Sequence, residues 1–216
     1  MRARVLQGTR TNVMSRLSRR GRCCEISSRR IAETQRWLDQ VVIGRRLCPF
    51  AKAVREPPAL RLCASFADNL DEVVEEVARE ARGLRTSQFG AETTLLILRD
   101  SYAGLSLGYM ELLSLSWRLQ EEVIVGAGHA THVQIVLFHP KATHSTYTDA
   151  AAPADAGDYT IRSPHPMIHL LRESDILRAV QQHPDAAGIP GRNRTRLRED
   201  GLDACMHRLE RCSLDR

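Results

Sequence analysis

The sequence predicts a small α/β layered domain, with three to four mainly parallel strands and helices between them. Two observations lead to this class. Three short apolar runs, each suited to a buried strand, alternate along the chain with longer segments of helical periodicity. The length of 216 residues allows one domain with its own core and polar segments at both ends. A ferredoxin-like α+β arrangement is the alternative.

The first half of the chain predicts a helix, a strand and a second helix. Apolar residues recur at helical spacing from Ile31 to Ile43, and Gly44 offers a helix end. Apolar residues alternate with others from Ala59 to Phe66, which predicts a strand. Asp68 is a suitable N-cap for the helix that follows. The apolar stripe of that helix consists of Leu70, Val73, Val74, Val77 and Ala81.

The second half predicts two more strands around a long helix. The apolar run Thr93–Asp100 suits a buried strand, and Val133–Pro140 suits another that ends at its proline. Residues 104–124 between them are helical in length and apolar on most sides, so we expect a central, buried helix. A loop without periodicity follows, and Tyr159–Arg162 at its end is a candidate fourth strand.

The segment DYTIRSPHPMIHLLRE, residues 158–173, predicts a capped helix with two different faces. Ser163 would be the N-cap and Pro164 would occupy the first helical position, where a missing N–H is harmless. At about 100° per residue, two sets of side chains then separate. Met167, Ile168, Leu170 and Leu171 would form the buried side, and His165, His169, Arg172 and Glu173 the presented side.

The charge of the chain is concentrated at its N-terminus. Residues 1–30 hold nine arginines and one acid, whereas the remainder holds 22 basic and 25 acidic residues. Nucleic acid is therefore not an expected partner of the body. An arginine-rich, serine-containing segment without an apolar core is typical of a mitochondrial targeting leader, and a basic tail of no such role is the alternative. We expect a leader at 1–30, one domain at 31–190 and an arginine-rich polar tail at 191–216.

No apolar run approaches the roughly 20 residues of a membrane-spanning helix, so we expect a soluble protein with no membrane partner. With the leader, the expected location is the mitochondrial matrix; without it, the cytoplasm. The six cysteines form no CxxC motif, and free thiols are expected in such a compartment. Cys48, in LCPFA, is either a reactive thiol or a cysteine that fills the turn after the first helix.

The remaining candidate residues are histidines and charged side chains of the third strand and the final segment. His139 ends a strand at the edge where α/β sheets bind ligands. His169 is the candidate base, and Asp158 would either orient it or pair with Arg162 to fasten the loop. Arg162, Ser163 and Arg172 would hold an anion. The possible metal ligands His139, His144, His165, His169 and Asp158 show no established spacing, so a metal is not favoured and any cofactor is unknown.

Three blocks of the sequence, VVIGRRLCPFA, FHP and DYTIRSPHPMIHLLRE, resemble the signature blocks of the domain of unknown function 1415 family, over about residues 33–193. The resemblance places Cys48 in one block, His139 in a second, and Arg162, Ser163, His169 and Arg172 in a third. A tyrosine is common in that family at the position of His165, which favours His169 as the functional histidine. The family implies no established activity.

These observations favour an enzyme or binding pocket for a small anionic molecule, a carboxylate or a phosphate, and leave catalysis itself open. Arg162 and Arg172 would hold the anion, and His139 or His169 would transfer a proton. An organellar assembly or scaffold factor without catalysis is the first alternative. A monothiol redox protein that uses Cys48 is the second. The oligomeric state is not predicted.

Overall fold

A computed structural model describes residues 25–144 and 154–214 of the chain. Its centre is a four-stranded sheet in the order β1-β2-β6-β5. The four strands agree with the predicted number. The predicted α/β class is also confirmed, because helices cover both faces of this sheet. The strands are β1 (Leu60–Ala64), β2 (Thr93–Ile97), β5 (Val133–Phe138) and β6 (Met167–Arg172), and a separate hairpin contains β3 (Ser101–Tyr102) and β4 (Leu105–Ser106).

The expectation of mainly parallel pairing is correct for only one of the three strand pairs. β1 and β2 run parallel around the intervening helix α3 (Leu70–Arg85). β6 is antiparallel to both of its neighbours, β2 and β5. The described residues between β5 and β6 form only a 3-10 helix, Ala156–Thr160, whereas a parallel crossover usually contains an α-helix.

The largest correction concerns residues 163–173, which form no capped helix. Met167–Arg172 is the strand β6, inserted between β2 and β5. A strand buried on both faces has an almost continuous apolar run, which periodicity cannot distinguish from a buried helix. Ser163 and His165 each precede a proline, and this position disfavours helical backbone angles. The two prolines therefore lead the chain into β6 in an extended conformation.

α3 and α4 (Tyr109–Leu119) pack on one face of the sheet, in a core with Leu96, Ile168 and Leu170. The N-cap of α3 is Asn69, one residue after the predicted cap, because its side chain accepts a hydrogen bond from the backbone N–H of Glu72 at 3.0 Å. The predicted helix 104–124 is shorter than expected, because its start belongs to the β3–β4 hairpin. It continues past α4 as a π-helical segment, Gln120–Val125.

α4 is also less buried than its composition predicted. Leu112, Leu115 and Leu119 face the core, but Trp117 on the opposite side is 76% exposed. The segment proposed as a fourth strand, Tyr159–Arg162, instead overlaps a 3-10 helix, Ala156–Thr160. Residues 145–153 of the preceding loop lie outside the described residues.

The second face of the sheet is covered by the two ends of the chain. α1 comprises residues 25–37 and a π-helical continuation, Leu38–Ile43. The C-terminal segment forms α6 (Ile189–Asp200) and α7 (Leu202–Glu210). Trp37, Leu197 and Cys205 share one core here with Leu95 and Met167 of the sheet. Much of the segment expected to be a polar tail is thus packed helix.

The structure also contains α2 (Ala51–Val54), a single turn, and α5 (Glu173–Gln182), which directly follows β6. None of the described helices combines the length and the apolar composition needed to cross a bilayer. Most of the predicted leader, residues 1–24, lies outside the described residues.

Candidate functional site

Several predicted residues lie at one edge of the sheet, where β2 and β5 end and β6 begins. The register pairs Ile97 and Phe138 with Met167, so the residues after β2 and β5 lie beside those before β6. His139 directly follows β5. The backbone N–H of Leu98, the residue after β2, donates a hydrogen bond to the carbonyl of Pro166, the residue before β6, at 2.8 Å. Side chains distant in sequence are therefore neighbours at this edge.

His139 has both ring nitrogens engaged by the backbone. Nδ1 accepts a hydrogen bond from the N–H of Lys141 at 3.0 Å, so Nε2 carries the proton and donates to the Leu107 carbonyl at 2.9 Å. Burial lowers the pKa of His139, against the opposing effect of the Leu107 carbonyl. This neutral, fixed imidazole connects two loops, and it has no free nitrogen for a substrate in this conformation.

Asp158 and Arg162 fasten the loop before β6. The carboxylate of Asp158 lies 3.6 Å from the Arg162 guanidinium and accepts the backbone N–H of His144 at 2.8 Å. Arg162 also donates to the Ala142 carbonyl at 2.9 Å and stacks over the ring of Tyr159. Of the two roles considered for Asp158, these contacts match the pairing with Arg162. The nearby Ser163 hydroxyl is buried and donates to the His165 carbonyl at 2.6 Å.

His169 lies in the middle of β6, away from this edge. The Thr93 hydroxyl donates to the Leu170 carbonyl, so it must accept the Nε2–H of His169, at 2.6 Å. Desolvation lowers the pKa of His169 to about 4, which keeps the imidazole neutral at physiological pH. The ring of Phe138 lies next to it, with centroids 6.2 Å apart.

Arg172 lies at the far end of β6 and faces the opposite side of the sheet from His169. Its guanidinium donates to the carbonyls of Leu84 and Ala91 and pairs with Asp175 at 3.1 Å. It therefore holds the C-terminus of α3 against the strand. The predicted shared pocket of Arg162, His169, Arg172 and His139 is not formed, because β6 is a strand and separates these residues along its length.

Cys48 is half-buried in the turn between α1 and α2. Burial raises the pKa of its thiol, although the backbone N–H groups of Phe50 and Ala51 act in the opposite direction. A raised pKa favours the protonated thiol, which is the less reactive form. The position matches the expected cysteine that fills the turn after the first helix.

A cluster that sequence reasoning missed is centred on Glu33 and His165. The buried Glu33 carboxylate accepts the Nε2–H of His165 at 2.7 Å and also accepts hydrogen bonds from Arg29 at 3.0 Å and from the backbone N–H of Leu214 at 2.9 Å. Burial alone would raise the pKa of Glu33, but the Leu214, Arg29 and His165 contacts outweigh it and lower the pKa. Glu33 is thus an ionised carboxylate that joins three segments.

The other ring nitrogen of His165 faces Asp100. Its Nδ1 is buried, has no hydrogen-bond partner among the described residues and lies 3.8 Å from the Asp100 carboxylate, too far for a hydrogen bond. The pKa of Asp100 is lowered, chiefly by its interaction with His165. Burial acts in the opposite direction and is the second-largest effect on this pKa. An imidazole oriented by one carboxylate and close to another resembles the base–orienter pairs of general acid–base sites.

A basic depression lies next to this cluster, between α1 and α7. It is open to solvent and has a volume of about 560 Å³. Ser213 lines the depression, and the next residue, Leu214, donates its backbone N–H to Glu33. The depression and the cluster are therefore adjacent. Arg36 and Arg211 also lie close enough to the buried Cys212 thiol, as does Glu33, to influence its pKa. The residues that line the depression are Arg36, Ala204, His207, Arg208, Glu210, Arg211 and Ser213.

Three of the residues that line the basic depression are arginines and one is an acid, Glu210. Arg208 is ion-paired with Asp200 at 2.7 Å, and Asp200 is shared with Arg45 at 2.5 Å, so the arginines outnumber the acids even when this pair is included. Arg36 and Arg211 are exposed. Arginine presents a planar fork of donors that matches carboxylate and phosphate oxygens. Within the described part of the chain, no three His, Cys, Asp or Glu side chains are placed to hold a metal ion.

The sequence contains a different signal for each of two features, the Glu33–His165 cluster and the basic depression. The first is a carboxylate at position 33, four residues before Trp37 and on the same side of α1, where an apolar residue is expected. Its partner is 132 residues away, and no local spacing indicates it. The second is a run of basic residues at the end of α7, His207, Arg208 and Arg211, which was interpreted as part of a polar tail.

Comparison with models of known families gives a match over most of the chain. The sequence model of the family described as "Protein of unknown function (DUF1415)" matches residues 29–207, well over half of the chain. No curated protein and no solved structure matches the chain. The matched range includes Glu33, His165 and most of α7.

Proposed function

Because this chain belongs to the DUF1415 family, whose description names no activity, we propose from the geometry of the chain itself that it binds a small anionic molecule, a carboxylate or a phosphate, in the basic depression. Two exposed arginines, Arg36 and Arg211, line one open depression whose lining includes a single acid, and this observation carries the proposal. The binding groups differ from the Arg162 and Arg172 expected from sequence, since both of those are engaged by protein carbonyls.

The dimensions and charge of the depression support a small ligand. Its volume of about 560 Å³ lies in the range of roughly 300–1,000 Å³ that is usual for small-molecule sites. Arg36 belongs to α1 and Arg211 directly follows α7, so the two arginines line the depression from different segments of the chain. Each charge-assisted hydrogen bond contributes about 1.5–3 kcal/mol.

A chemical step, if the protein is an enzyme, would use His165. The Glu33 carboxylate orients its imidazole by accepting the Nε2–H, and Nδ1 is the nitrogen left to exchange a proton. Asp100 beside it is mostly exposed, so its movement would open a path to Nδ1.

The binding proposal is tested by thermal unfolding of the full chain with inorganic phosphate, pyrophosphate and a dicarboxylate such as succinate. A ligand at 100 times its dissociation constant stabilises the folded state by about 2.7 kcal/mol, which raises the melting temperature by several degrees. We expect the double substitution Arg36→Gln, Arg211→Gln to weaken binding by roughly tenfold per guanidinium.

The matched control is Arg79→Gln, Arg178→Gln, which removes the same charge from exposed positions of α3 and α5. It should leave binding unchanged. An equal loss in both double variants would mean that the anions respond only to net charge, and no shift with any anion would refute the proposal.

The two alternatives remain distinguishable. The redox alternative needs a thiol that alkylates readily near neutral pH, whereas burial raises the pKa of Cys48. The assembly-factor alternative predicts that a stoichiometric partner is recovered with the full chain from organelle extract and that the anion titration has no effect.

A further inference from the structure

The outward side of α4 carries an apolar stripe that the described residues leave largely exposed, with Leu113 half-buried in its middle. Met110, Leu113 and Trp117 are spaced three and four residues apart and therefore lie on one side of the helix, opposite the core-facing Leu112 and Leu119. Met110 is 46% exposed and Trp117 is 76% exposed. We call Met110, Leu113 and Trp117 the outer stripe. Tryptophan is largely buried in most folded proteins, so exposure of this extent indicates a contact surface.

The surroundings of the outer stripe are acidic. Residues 109–125 contain three acids, Glu111, Glu121 and Glu122, and one base, Arg118. Arg118 lies between Glu122, at 2.5 Å, and Asp71 of α3, at 2.6 Å, so one positive charge faces two negative ones and the group keeps a net negative charge. A second copy of the chain that docked stripe to stripe would bring these acids together, which is unfavourable. The fitting occupant is apolar and basic.

The chain itself supplies a segment of this chemistry. Residues 1–24 contain seven arginines and no acid, together with the apolar residues Val5, Leu6, Val13, Met14 and Leu17. A segment of 24 residues can extend up to about 80 Å. The domain has an expected radius of gyration of roughly 16 Å, so the segment can reach any part of its surface. The tether also gives the segment an effective concentration in the millimolar range.

We propose that residues 1–24 dock on the outer stripe of α4, with their apolar side chains over Trp117 and their arginines beside Glu121 and Glu122. This inference goes beyond the proposed function and does not depend on it. The stripe is covered while the N-terminal segment is attached and becomes available when that segment is removed.

The two tryptophans of the chain make the proposal directly measurable. Trp37 is 3% exposed and packs edge-on against Phe138, so it contributes little to quenching by a water-soluble agent. Acrylamide quenching of tryptophan fluorescence in the full chain therefore reports on Trp117. We expect low quenching at low salt, and an increase of about twofold or more at roughly 1 M salt, where the Debye length is only about 3 Å.

Two variants of the full chain should show the same increase at low salt. Arg16→Gln, Arg19→Gln, Arg20→Gln removes charge from the docking segment without altering the packed domain. Glu121→Gln, Glu122→Gln removes the charge that receives it. The control, Glu199→Gln, Asp203→Asn, removes two exposed acids from α6 and α7 and should leave quenching at the level of the unmodified chain.

Two results would overturn the proposal. One is quenching that is already high in the full chain at low salt and unaffected by the arginine substitutions, which means that nothing covers Trp117. The other is protection that disappears on dilution and is independent of those arginines, which identifies a second copy as the occupant.

Discussion

His169 is a predicted site residue that lies in the middle of β6, between two neighbouring strands. The backbone places its imidazole between Val136 and Leu95 of the neighbouring strands, and the Thr93 hydroxyl accepts its only assigned proton. Protonation of Nδ1 would place a charge in this environment. The residue therefore makes a neutral contact that is sensitive to acid.

The stability of the fold should fall with acid because of His169. Its pKa is about 4 in the folded state against an ordinary value of 6.5, so between these values the unfolded chain binds a proton that the folded chain does not. The stabilisation that the neutral His169 provides is therefore fully present above pH 6.5. As the pH falls towards 4, the free energy of unfolding decreases by roughly 1–3 kcal/mol. Urea unfolding of the full chain and of His169→Gln across this range measures the difference.

The His169→Gln variant should show a flatter pH dependence than the unmodified chain. His132→Gln, at an exposed position, should follow the unmodified chain. Parallel curves for the unmodified chain and His169→Gln would show that this imidazole is not the acid-sensitive group.

At the scale of elements, α3 shows how a helix end is determined by single hydrogen bonds. The Asn69 side chain accepts the N–H of Glu72 at 3.0 Å, and the Glu72 carboxylate accepts the N–H of Asp68 at 2.8 Å. This reciprocal arrangement resembles a capping box. Asp68 instead pairs with Arg99 in an exposed ion pair.

We expect Asn69→Ala to lower the free energy of unfolding by about 1 kcal/mol, since it removes the N-cap of α3. Asp68→Ala should cost less than about 0.5 kcal/mol, because an exposed ion pair contributes little. Chemical denaturation of the two variants gives the comparison. A larger loss for Asp68→Ala would contradict the assignment of Asn69 as the cap.

At the scale of the whole molecule, the domain is closed by both ends of its chain. Leu197 of α6 and Cys205 of α7 are buried against Trp37 of α1 and the second face of the sheet. Asn193 also donates to the Leu47 carbonyl, and Arg196 donates to the Arg45 carbonyl at 2.8 Å. The C-terminal helices are therefore part of the core.

Leu197→Ala should lower the free energy of unfolding by about 2–4 kcal/mol, as expected for a buried leucine replaced by alanine. Met206→Ala, at a partly exposed position of α7, should cost less than about 1 kcal/mol. Thermal and urea unfolding measure both. Similar, small losses would show that α6 does not contribute to the core.

Local patterns predicted those elements whose residues carry a clear period. The alternation in β1 and the stripe in α3 have one buried side each, and both were identified within a few residues. β6 was misassigned because its burial on both faces removes the alternation, while Ser163-Pro164 imitates a helix start. The buried Leu197 was missed because arginines surround it on the exposed sides of α6.

The candidate site was less predictable for a geometric reason. Glu33 and His165 are brought together only by the packing of α1 against the start of β6, and Arg36 and Arg211 only by the packing of α1 against α7. Arg162 and Arg172 have the chemistry of ligand-binding groups. The carbonyl contacts of Arg172 depend on β6, which the pattern predicts as a helix, and the contact of Arg162 with the Ala142 carbonyl depends on the loop before β6.

The bond from the Leu214 N–H to Glu33 spans 181 residues and has a consequence for synthesis. At about 5–20 residues per second, a ribosome needs roughly 10–40 s to translate the distance between these two positions. During much of that time Glu33 of α1 lacks its hydrogen bond from Leu214, and the core on the second face of the sheet lacks Leu197 and Cys205. The sheet can begin to assemble on the ribosome, but the domain acquires its final form only after Leu214 has been synthesised.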